Sequence, residues 1–383
     1  MIKVAILGAG AIADSHIQAY LNFPDRCRVV AVADLELEKA AAKARRHELV
    51  VPAFNDLEPL LNSVQFDLVS VCLPPFAHAT AAVNLLRAGK HVLVEKPMAT
   101  SLEECDAMIA AAEAAQVRLS VVAQNRFKTP MMRLKRILEL GLIGRVLHTQ
   151  VDSFWWRGSC YYDLWWRGTW EKEGGGCTLN HAVHYIDLLR WFVGMPAALS
   201  AVMLNLAHEN SEVEDFAAAV LWFAGGSVGQ ITTSLIHHGE EQQLIVQGER
   251  AQVALPWRVQ AAQARENGFP EENAELAAHI QTVYDQLPAL PFEGHAGQIA
   301  NLLEAIEGRA PLLIDGREGR GTLELITAIY QSSHLGRPVS LPLRPDDLFY
   351  TRKGILQHAP RFHQKTRSVP GFATNDITLG RFA

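Results

Sequence analysis

The chain opens with the segment M1-I-K-V-A-I-L-G-A-G-A-I-A13, which decides the fold of its N-terminal third. An apolar run predicts a buried strand, and the G-x-G-x-x-A pattern that follows it opens a helix. Gly8 permits the tight turn, Gly10 lets a pyrophosphate approach the backbone, and Ala13 allows close packing of helix and strand. Ala11 and Ile12 begin the helix, whose first N–H groups attract phosphate. The segment therefore predicts a dinucleotide site; the alternative is an ordinary glycine-rich turn.

The nature of the dinucleotide is indicated by Asp34, which ends the next predicted strand. A carboxylate at this place accepts hydrogen bonds from the adenosine ribose and repels a 2′-phosphate, so NAD is favoured over NADP. Lys39, Lys43 and Arg45 follow closely and leave NADP open as the alternative cofactor. Asp34 can at the same time serve as a helix N-cap.

The first 122 residues alternate short apolar runs with amphipathic stretches, which is typical of βαβ units in a parallel sheet. The predicted strands are 4–7, 28–33, 67–72, 91–94 and 119–122, and the predicted helices include 36–46, 77–88 and 102–115. Ser101 is the expected N-cap of the last of these helices. We therefore predict an α/β protein with an N-terminal Rossmann domain at 1–122.

The pattern of predicted elements changes after about residue 145, where strands follow one another with few helices between them. Runs at 146–154, 217–223, 227–234 and 243–248 predict an antiparallel or mixed sheet in a second, α+β domain at 123–343, with a hairpin turn at 225–226. The polar stretch 261–273 is expected to be an exposed loop or short helix. A basic, turn-rich extension at 344–383 is expected to wrap a neighbouring subunit or cover the site.

Composition points to a small-molecule partner, because 35 basic and 41 acidic residues give a charge of only −6. That balance disfavours nucleic acid and an anionic membrane as partners. The N-terminus runs straight into a strand with no signal-peptide pattern, so we expect a cytoplasmic protein. The five cysteines are scattered without a C-x-x-C pair, and no histidines and carboxylates show metal-ligand spacing, so no metal is predicted.

A family resemblance rests on the stretch A88-G-K-H-V-L-V-E-K-P97. This stretch resembles the AGKHV-x-x-EKP segment of the Gfo/Idh/MocA family of sugar and polyol dehydrogenases, and shorter likenesses at 74–78, 141–146, 174–176 and 305–339 extend it over residues 1–343. The resemblance implies a large, mostly antiparallel open sheet in the second domain and a homodimer or homotetramer. It also implies cofactor-site roles for Leu73, Pro74, His78 and Glu95.

Lys96 lies at the carboxyl end of a predicted parallel strand, where the ligands of such sheets bind. Its ammonium can hydrogen-bond a substrate oxygen and stabilise a developing alkoxide. Glu95 is expected to pair with a neighbouring cation, and Pro97 to take a cis bond. The alternative for Lys96 is a solvated surface lysine.

The run G174-G-G-C-T-L-N-H-A-V-H-Y-I-D187 supplies the second group of candidates. A helix that begins near Thr178 would place Asn180, His184 and Asp187 on one face, with glycine backbone ahead of them for close approach to a ligand. By the resemblance, His184 is the proton-transfer residue. Asn180 stands where many inositol and glucose dehydrogenases carry aspartate, which weakens an inositol substrate. His181 is expected to be a packing or surface residue.

Five of the eight tryptophans lie between residues 154 and 170. Aromatic faces can stack on a pyranose and arginines can fork onto its hydroxyls or a carboxylate, so Tyr161, Trp166 and Arg167 are candidate substrate contacts. Most of these rings are expected to form a core or a subunit interface instead. Arg126 is placed at the substrate by the resemblance alone.

Together these features predict an NAD(P)-dependent dehydrogenase that transfers hydride between the nicotinamide and a secondary alcohol of a sugar or polyol. His184 is the expected acid/base and Lys96 the group that polarises the oxygen. Two alternatives stay open: a keto-reductase or dehydrogenase of a nucleotide-linked or acidic sugar, and a non-catalytic NAD-sensing regulator.

Overall fold

The computed structural model describes residues 1–372, and its N-terminal part alternates strands and helices. These elements are β1 Ile2–Leu7, α1 Ile12–Leu21, β2 Cys27–Ala33, α2 Leu37–Arg46, β3 Ala53–Phe54, α3 Leu57–Ser63, β4 Leu68–Val71, α4 Pro75–Arg87, β5 His91–Val94, α5 Leu102–Ala115 and β6 Leu119–Val121. The strands form one sheet in the order β3-β2-β1-β4-β5-β6, with every pair parallel. Helices cover both faces, and this is why strands such as β4 are apolar and buried along their whole length.

This sheet confirms the predicted Rossmann architecture. The five predicted strands are present with ends shifted by at most two residues, and Ser101 caps α5 by accepting a hydrogen bond from the Glu104 N–H at 3.3 Å. Strand β3 was not predicted, because two half-buried edge residues leave no periodicity to detect.

The remainder of the described chain carries a second, larger sheet. Its elements are α6 Thr129–Glu139, β7 Val146–Phe154, α7 Cys177–Asn180, α8 Val183–Val193, β8 Ala198–Leu204, β9 Phe216–Trp222, β10 Val228–Ser234, β11 Gln242–Gly248, β12 Ala251–Leu255, β13 Arg258–Ala264, β14 Pro270–Glu272, α9 Ala274–Gln286, α10 Gly294–Ile306, α11 Gly316–Leu335, β15 Val339–Ser340 and α12 Arg352–His358. The nine strands run β14-β13-β12-β11-β7-β10-β9-β8-β15 and pair antiparallel except β7 with β10. The predicted large, mostly antiparallel open sheet is confirmed.

Helices cover one face of this sheet, where α8 lies against β7 and β11 and α11 lies against β8. Strands β8 and β9 therefore alternate buried and exposed residues. On the opposite face several large apolar side chains are exposed: Val202, Leu204, Val220, Trp222 and Val228.

Two expectations for this region were wrong. Residues 261–273 form part of β13, a turn and β14, not a loop or helix, because cross-strand pairing stabilises a polar edge hairpin that has no apolar periodicity. The single helix expected from Thr178 is interrupted: α7 ends at Asn180 and α8 begins at Val183.

The C-terminal helices return to the Rossmann sheet. Helix α10 lies against α1, and α11 lies against α5 and β6. Beyond residue 344 the chain follows the aromatic segment: the Trp165 N–H donates to the Val369 carbonyl, and the Trp170 indole donates to the Pro360 carbonyl. The extension thus packs on its own chain as far as residue 372, and residues 373–383 lie outside the described part. Within residues 1–372 no helix has the length and apolarity needed to traverse a bilayer.

Candidate active site

The turn between β1 and α1 has the form that a pyrophosphate needs. Gly8 has φ +97°, and a Cβ there would lie 2.4 Å from the Cys72 carbonyl oxygen, so only glycine fits. Gly10 faces open space, and Ala11 is the N-cap residue of α1 with no side-chain cap hydrogen bond. The N–H group of Ile12, the first residue of α1, therefore stays available to a phosphate oxygen. These residues fit the diphosphate of NAD.

Asp34 lies beside this turn at the end of β2. Its carboxylate accepts the Ala9 N–H at 2.8 Å and the Glu36 N–H at 3.0 Å, which directs it into the crevice where the ribose hydroxyls of a dinucleotide bind. The three cations that could bind the 2′-phosphate of NADP form ion pairs with other residues. Lys39 pairs with Glu36, Lys43 pairs with Asp14 and Arg45 pairs with Glu38.

Lys96 follows β5, and its peptide bond to Pro97 is cis. The half-buried ammonium donates to the Asn180 backbone carbonyl at 3.1 Å, which joins the Rossmann sheet to α7. Burial lowers the pKa of Lys96, and the nearby Glu95 carboxylate opposes that effect. The ammonium is thereby held within a crevice and is not a freely solvated surface group.

His184 lies in the first turn of α8, half-buried, and lines a small, partly open pocket of about 20 Å³ together with Lys96 and Asp187. Burial, followed by the positive charge of Lys96, holds the pKa of His184 well below its usual range. The imidazole is therefore neutral near pH 7 and able to accept a proton.

Asn180 and His184 stand on two different helices, so the predicted common helical face does not exist. The Asn180 side-chain amide donates to the Gly175 and Gly176 carbonyls at 2.9 and 3.2 Å. The backbone carbonyl of Asn180 accepts a hydrogen bond from the Lys96 ammonium. The tertiary fold, rather than i, i+4 spacing, brings Asn180 toward Lys96.

The glycine run before α7 serves the protein's own packing. A Cβ on Gly175 would lie 2.3 Å from the Tyr330 hydroxyl, and one on Gly176 would lie 1.8 Å from the Glu214 carbonyl. The buried Glu214 carboxylate accepts the Gly176 and Thr178 N–H groups at 2.9 and 3.0 Å. Burial raises the pKa of Glu214 to about 7. The glycines were expected to let a ligand come close, but the residues that come close to them are Glu214 and Tyr330 of the protein itself.

Arg126 does not face the crevice, which corrects the prediction drawn from the resemblance. Its side chain is fully buried, donates twice to Asp187 at 2.7 and 2.8 Å, and donates to Glu318 at 2.6 Å. Asp187 also accepts the Thr322 hydroxyl. Arg126 and Asp187 therefore tie the segment after β6 to α8 and α11.

His78 is also withdrawn from the expected cofactor surface, because it is fully buried. Its Nδ1 lies 2.8 Å from the Pro97 carbonyl oxygen and its Nε2 lies 2.7 Å from the Leu73 carbonyl oxygen. Both ring nitrogens are thus occupied by backbone. His78 connects the Leu73-Pro74 loop to the turn after Lys96 and leaves no nitrogen for a ribose hydroxyl.

Three aromatic-segment candidates do lie together. The Arg167 guanidinium stands 4.2 Å from the ring centres of both Tyr161 and Trp166 and donates to the buried Glu173 at 3.0 Å. The Tyr161 hydroxyl lies 3.3 Å from Nε2 of His181, which the sequence analysis had rated a packing or surface residue. Through this contact His181 joins the group formed by Tyr161, Trp166 and Arg167.

Glu95 has a different environment from the one the sequence suggested. Its carboxylate contacts His16 of α1 at 2.9 Å and accepts the Lys96 N–H at 3.1 Å. His295 of α10 lies 3.5 Å from the same carboxylate. No spacing in the sequence links residues 16, 95 and 295, so this cluster could be found only in the fold.

Comparison with known proteins decides the family. A model of an oxidoreductase family with an NAD-binding Rossmann fold matches residues 2–123, and the model of the GFO/IDH/MocA C-terminal domain matches residues 131–254. The chain belongs to the Gfo/Idh/MocA family. The resemblance proposed from the EKP segment is confirmed, and so is NAD as the cofactor.

Several members of the family resemble the chain over most of its length. The WlbA dehydrogenase of Bordetella pertussis, solved in complex with NADH and UDP-GlcNAcA, is 31% identical with a TM-score of 0.77, covering 90% of this chain and 98% of that one. D-glucoside 3-dehydrogenase of Escherichia coli K12 is 25% identical over 361 residues, 89% of this chain and 97% of the relative. Levoglucosan dehydrogenase of Pseudarthrobacter phenanthrenivorans is 26% identical over 326 residues, 76% and 82% of the two chains.

Proposed function

We propose that this protein transfers hydride reversibly between NAD and a secondary alcohol of a sugar or sugar-like polyol. The observation that carries the proposal is the meeting of the Lys96 ammonium, Asn180 and His184 at the carboxyl end of β5, beside the dinucleotide turn. The names of the relatives support a sugar or a sugar derivative as the substrate. When bound, NAD supplies the hydride acceptor.

In the proposed reaction His184 takes the hydroxyl proton of the alcohol. Its burial keeps the ring neutral, which is the form that a base requires. Lys96 donates a hydrogen bond to the same oxygen and stabilises the negative charge that develops on it. Asn180 contributes by holding the ammonium through its backbone carbonyl, while its amide is bound to the glycine run.

Substrate binding is assigned to one wall of the crevice. Tyr161 and Trp166 present ring faces to a pyranose, and Arg167, which stacks on both rings, presents its remaining N–H groups to hydroxyls. His181 is added to this wall through its contact with Tyr161.

The preference for NAD over NADP is attributed to Asp34. Its carboxylate lies where a 2′-phosphate would bind, and the nearby cations Lys39, Lys43 and Arg45 each pair with a carboxylate of their own.

A nucleotide-linked or acidic sugar is the second candidate substrate. Two arginines favour it, because Arg157 and Arg167 both approach the Tyr161 ring and both add positive charge near His181. The 31% identity to a dehydrogenase solved with UDP-GlcNAcA favours it further.

The exposed apolar face of the second sheet is proposed as the contact with a second copy of the chain. Val220 and Trp222 of β9 are 47% and 40% exposed at its centre, a patch that monomers rarely leave in water. Val220→Lys should lower the mass measured by light scattering to that of one chain, whereas Val50→Lys, on an exposed loop, should not. A wild-type monomer would contradict the proposal.

The function is tested by measuring NADH formation with free sugars, inositols, anhydrosugars, sugar acids and UDP-GlcNAcA. We expect Lys96→Met and His184→Ala each to lower turnover by at least about a hundredfold, the range of general acid–base catalysis. Lys90→Met, at a lysine that binds the Phe66 carbonyl near the opposite end of β5, is the matched control. Near wild-type turnover in both active-site variants would reject the mechanism. NADH binding without turnover on any compound would favour the regulator.

A further inference from the structure

Three side chains from distant parts of the sequence meet beneath Lys96: His16 of α1, Glu95 at the end of β5 and His295 of α10. The Nε2 atoms of His16 and His295 lie 2.9 and 3.5 Å from the same oxygen, Oε1 of Glu95. The two imidazole rings are 5.1 Å apart. Within residues 1–372 this is the one group of three side chains whose types and spacing would suit a metal ion.

In the hydrogen bonds that link Tyr20, Ser70, His16 and Glu95, the donor and acceptor of each pair can be assigned. Burial raises the pKa of Glu95, but the two histidines outweigh it and hold the pKa well below the usual range, so the group is a carboxylate and accepts hydrogen bonds only. Burial lowers the pKa of His16, whose neutral ring must then carry its proton on Nε2. Nδ1 accepts the Ser70 hydroxyl, and Ser70 accepts the Tyr20 hydroxyl, at 3.0 and 2.8 Å.

This chain of donors argues against a metal. The Nε2 atom of His16 directs a hydrogen at Glu95, and the lone pair on Nδ1 is taken by Ser70. His16 therefore offers no free lone pair toward the centre of the cluster. Every polar atom from Tyr20 to Glu95 is satisfied without an ion.

The role of the cluster follows from the contact that Glu95 makes with Lys96. Its other oxygen, Oε2, accepts the backbone N–H of Lys96, while the Lys96 ammonium turns away and donates to the Asn180 carbonyl. Burial lowers the pKa of Lys96, and Glu95 is nevertheless the opposite charge that raises it most. The carboxylate must be held in place if it is not to swing toward the ammonium.

His295 lies against Glu95 on the side of α10. Its buried Nε2 atom forms no hydrogen bond among the described residues, and its contact with the carboxylate is the 3.5 Å approach to Oε1. The charged or titratable groups around it are Glu95 and His16, with His184 across the crevice.

We propose that His295 is a positioning residue that keeps the Glu95 carboxylate away from the Lys96 ammonium, and so leaves the ammonium free for a substrate oxygen. The inference rests on the proposed function only in assigning Lys96 that task. Removing the His295 ring opens space beside Oε1, so that the carboxylate can approach the ammonium, form an ion pair and stabilise its protonated form.

The test reads Lys96 directly and needs no substrate. The full-length protein is labelled with a trace of acetic anhydride at pH 8, and acetylation of Lys96 is followed by mass spectrometry. Only the neutral amine reacts, so His295→Ala should slow labelling of Lys96 about threefold, the effect of half a pKa unit. His295→Gln, whose polar side chain occupies much of the same space beside Oε1, should restore the wild-type rate. His279→Ala, at an exposed histidine of α9, is the control.

Unchanged or faster labelling in His295→Ala overturns the proposal. So does a further slowing when His295→Ala is added to Glu95→Gln, because the effect must pass through the carboxylate. Stoichiometric zinc or manganese that is present in the wild type and lost in His295→Ala would also overturn it, since His295 would then be a ligand. If no sugar is oxidised but the labelling pattern holds, the proposed function fails and the positioning role stands.

Discussion

The buried pair between Arg126 and Asp187 allows the sharpest test of a role that the sequence assigned wrongly. Arg126→Met removes a fully buried cation that donates twice to Asp187. Loss of one partner of such a pair costs about 3–5 kcal/mol, because the other charge stays buried. In the variant Glu318 still has its ion pair with Arg190 at 2.5 Å, so only Asp187 is left without a cation. We therefore expect the low end, about 3 kcal/mol.

The assay is urea unfolding followed by tryptophan fluorescence, with KM for the substrate measured on the same variants. Arg126→Met/Asp187→Asn should recover at least half of the loss, because no uncompensated charge is left and Asn can still accept the Thr322 hydroxyl. Arg136→Met, which breaks an exposed pair with Glu139 on α6, should cost less than about 1 kcal/mol. Unaltered unfolding with a raised KM in Arg126→Met would refute the structural role and restore Arg126 to the substrate.

Three further predictions concern the cofactor, the glycine run and the extension. Asp34→Ser should raise kcat/KM for NADP at least about tenfold relative to NAD, since the repelling carboxylate is gone; unchanged preference would show that Asp34 is not the ribose partner. Burial raises the folded pKa of Glu214 to about 7 from 4.5, so the folded protein binds the extra proton and stability falls as pH rises between these values. The unfolding free energy of the wild type minus that of Glu214→Gln should fall by up to about 3 kcal/mol from pH 4.5 to 7.5, and a flat difference would contradict this. A chain that ends at Ala359 loses the hydrogen bonds of Val369 and Pro360 to the aromatic segment, and its KM for the substrate should be higher. A chain that ends at Phe372 should keep the KM of the full-length protein. Equal KM values for the two chains would show that the extension does not contribute to substrate binding.

Much of the fold could be predicted because its information is local. The strands of the first sheet are buried on both faces, so each is a short apolar run that stands out between amphipathic helices. The hairpin of β13 and β14 carries no such run, because its residues are mostly exposed and cross-strand pairing alone defines them. The break between α7 and α8 was likewise invisible, since the sequence predicts one helix that begins near Thr178 and continues through Asp187.

The candidate site divides in the same way. Gly8, Asp34 and Lys96 could be proposed as site residues because each lies in a contiguous motif or at the end of a strand of one βα unit, and His184 could be proposed from the family resemblance. Arg126 and His78 could not be interpreted correctly, since the partners of Arg126 lie 61 and 192 positions away and those of His78 are backbone carbonyls 5 and 19 positions away. A pattern along the chain records the residue type but not the direction in which the side chain points.

The sequence by itself therefore determined the Rossmann half, the dinucleotide turn and the identity of the two groups proposed to act on substrate. Only the tertiary structure decided which groups surround them: Glu214 under the glycine run, Asn180 against Lys96, and His16 and His295 on Glu95. The physical reason is that backbone preference and apolar periodicity act over a few residues, whereas hydrogen bonds and ion pairs join whichever side chains packing brings within about 3 Å.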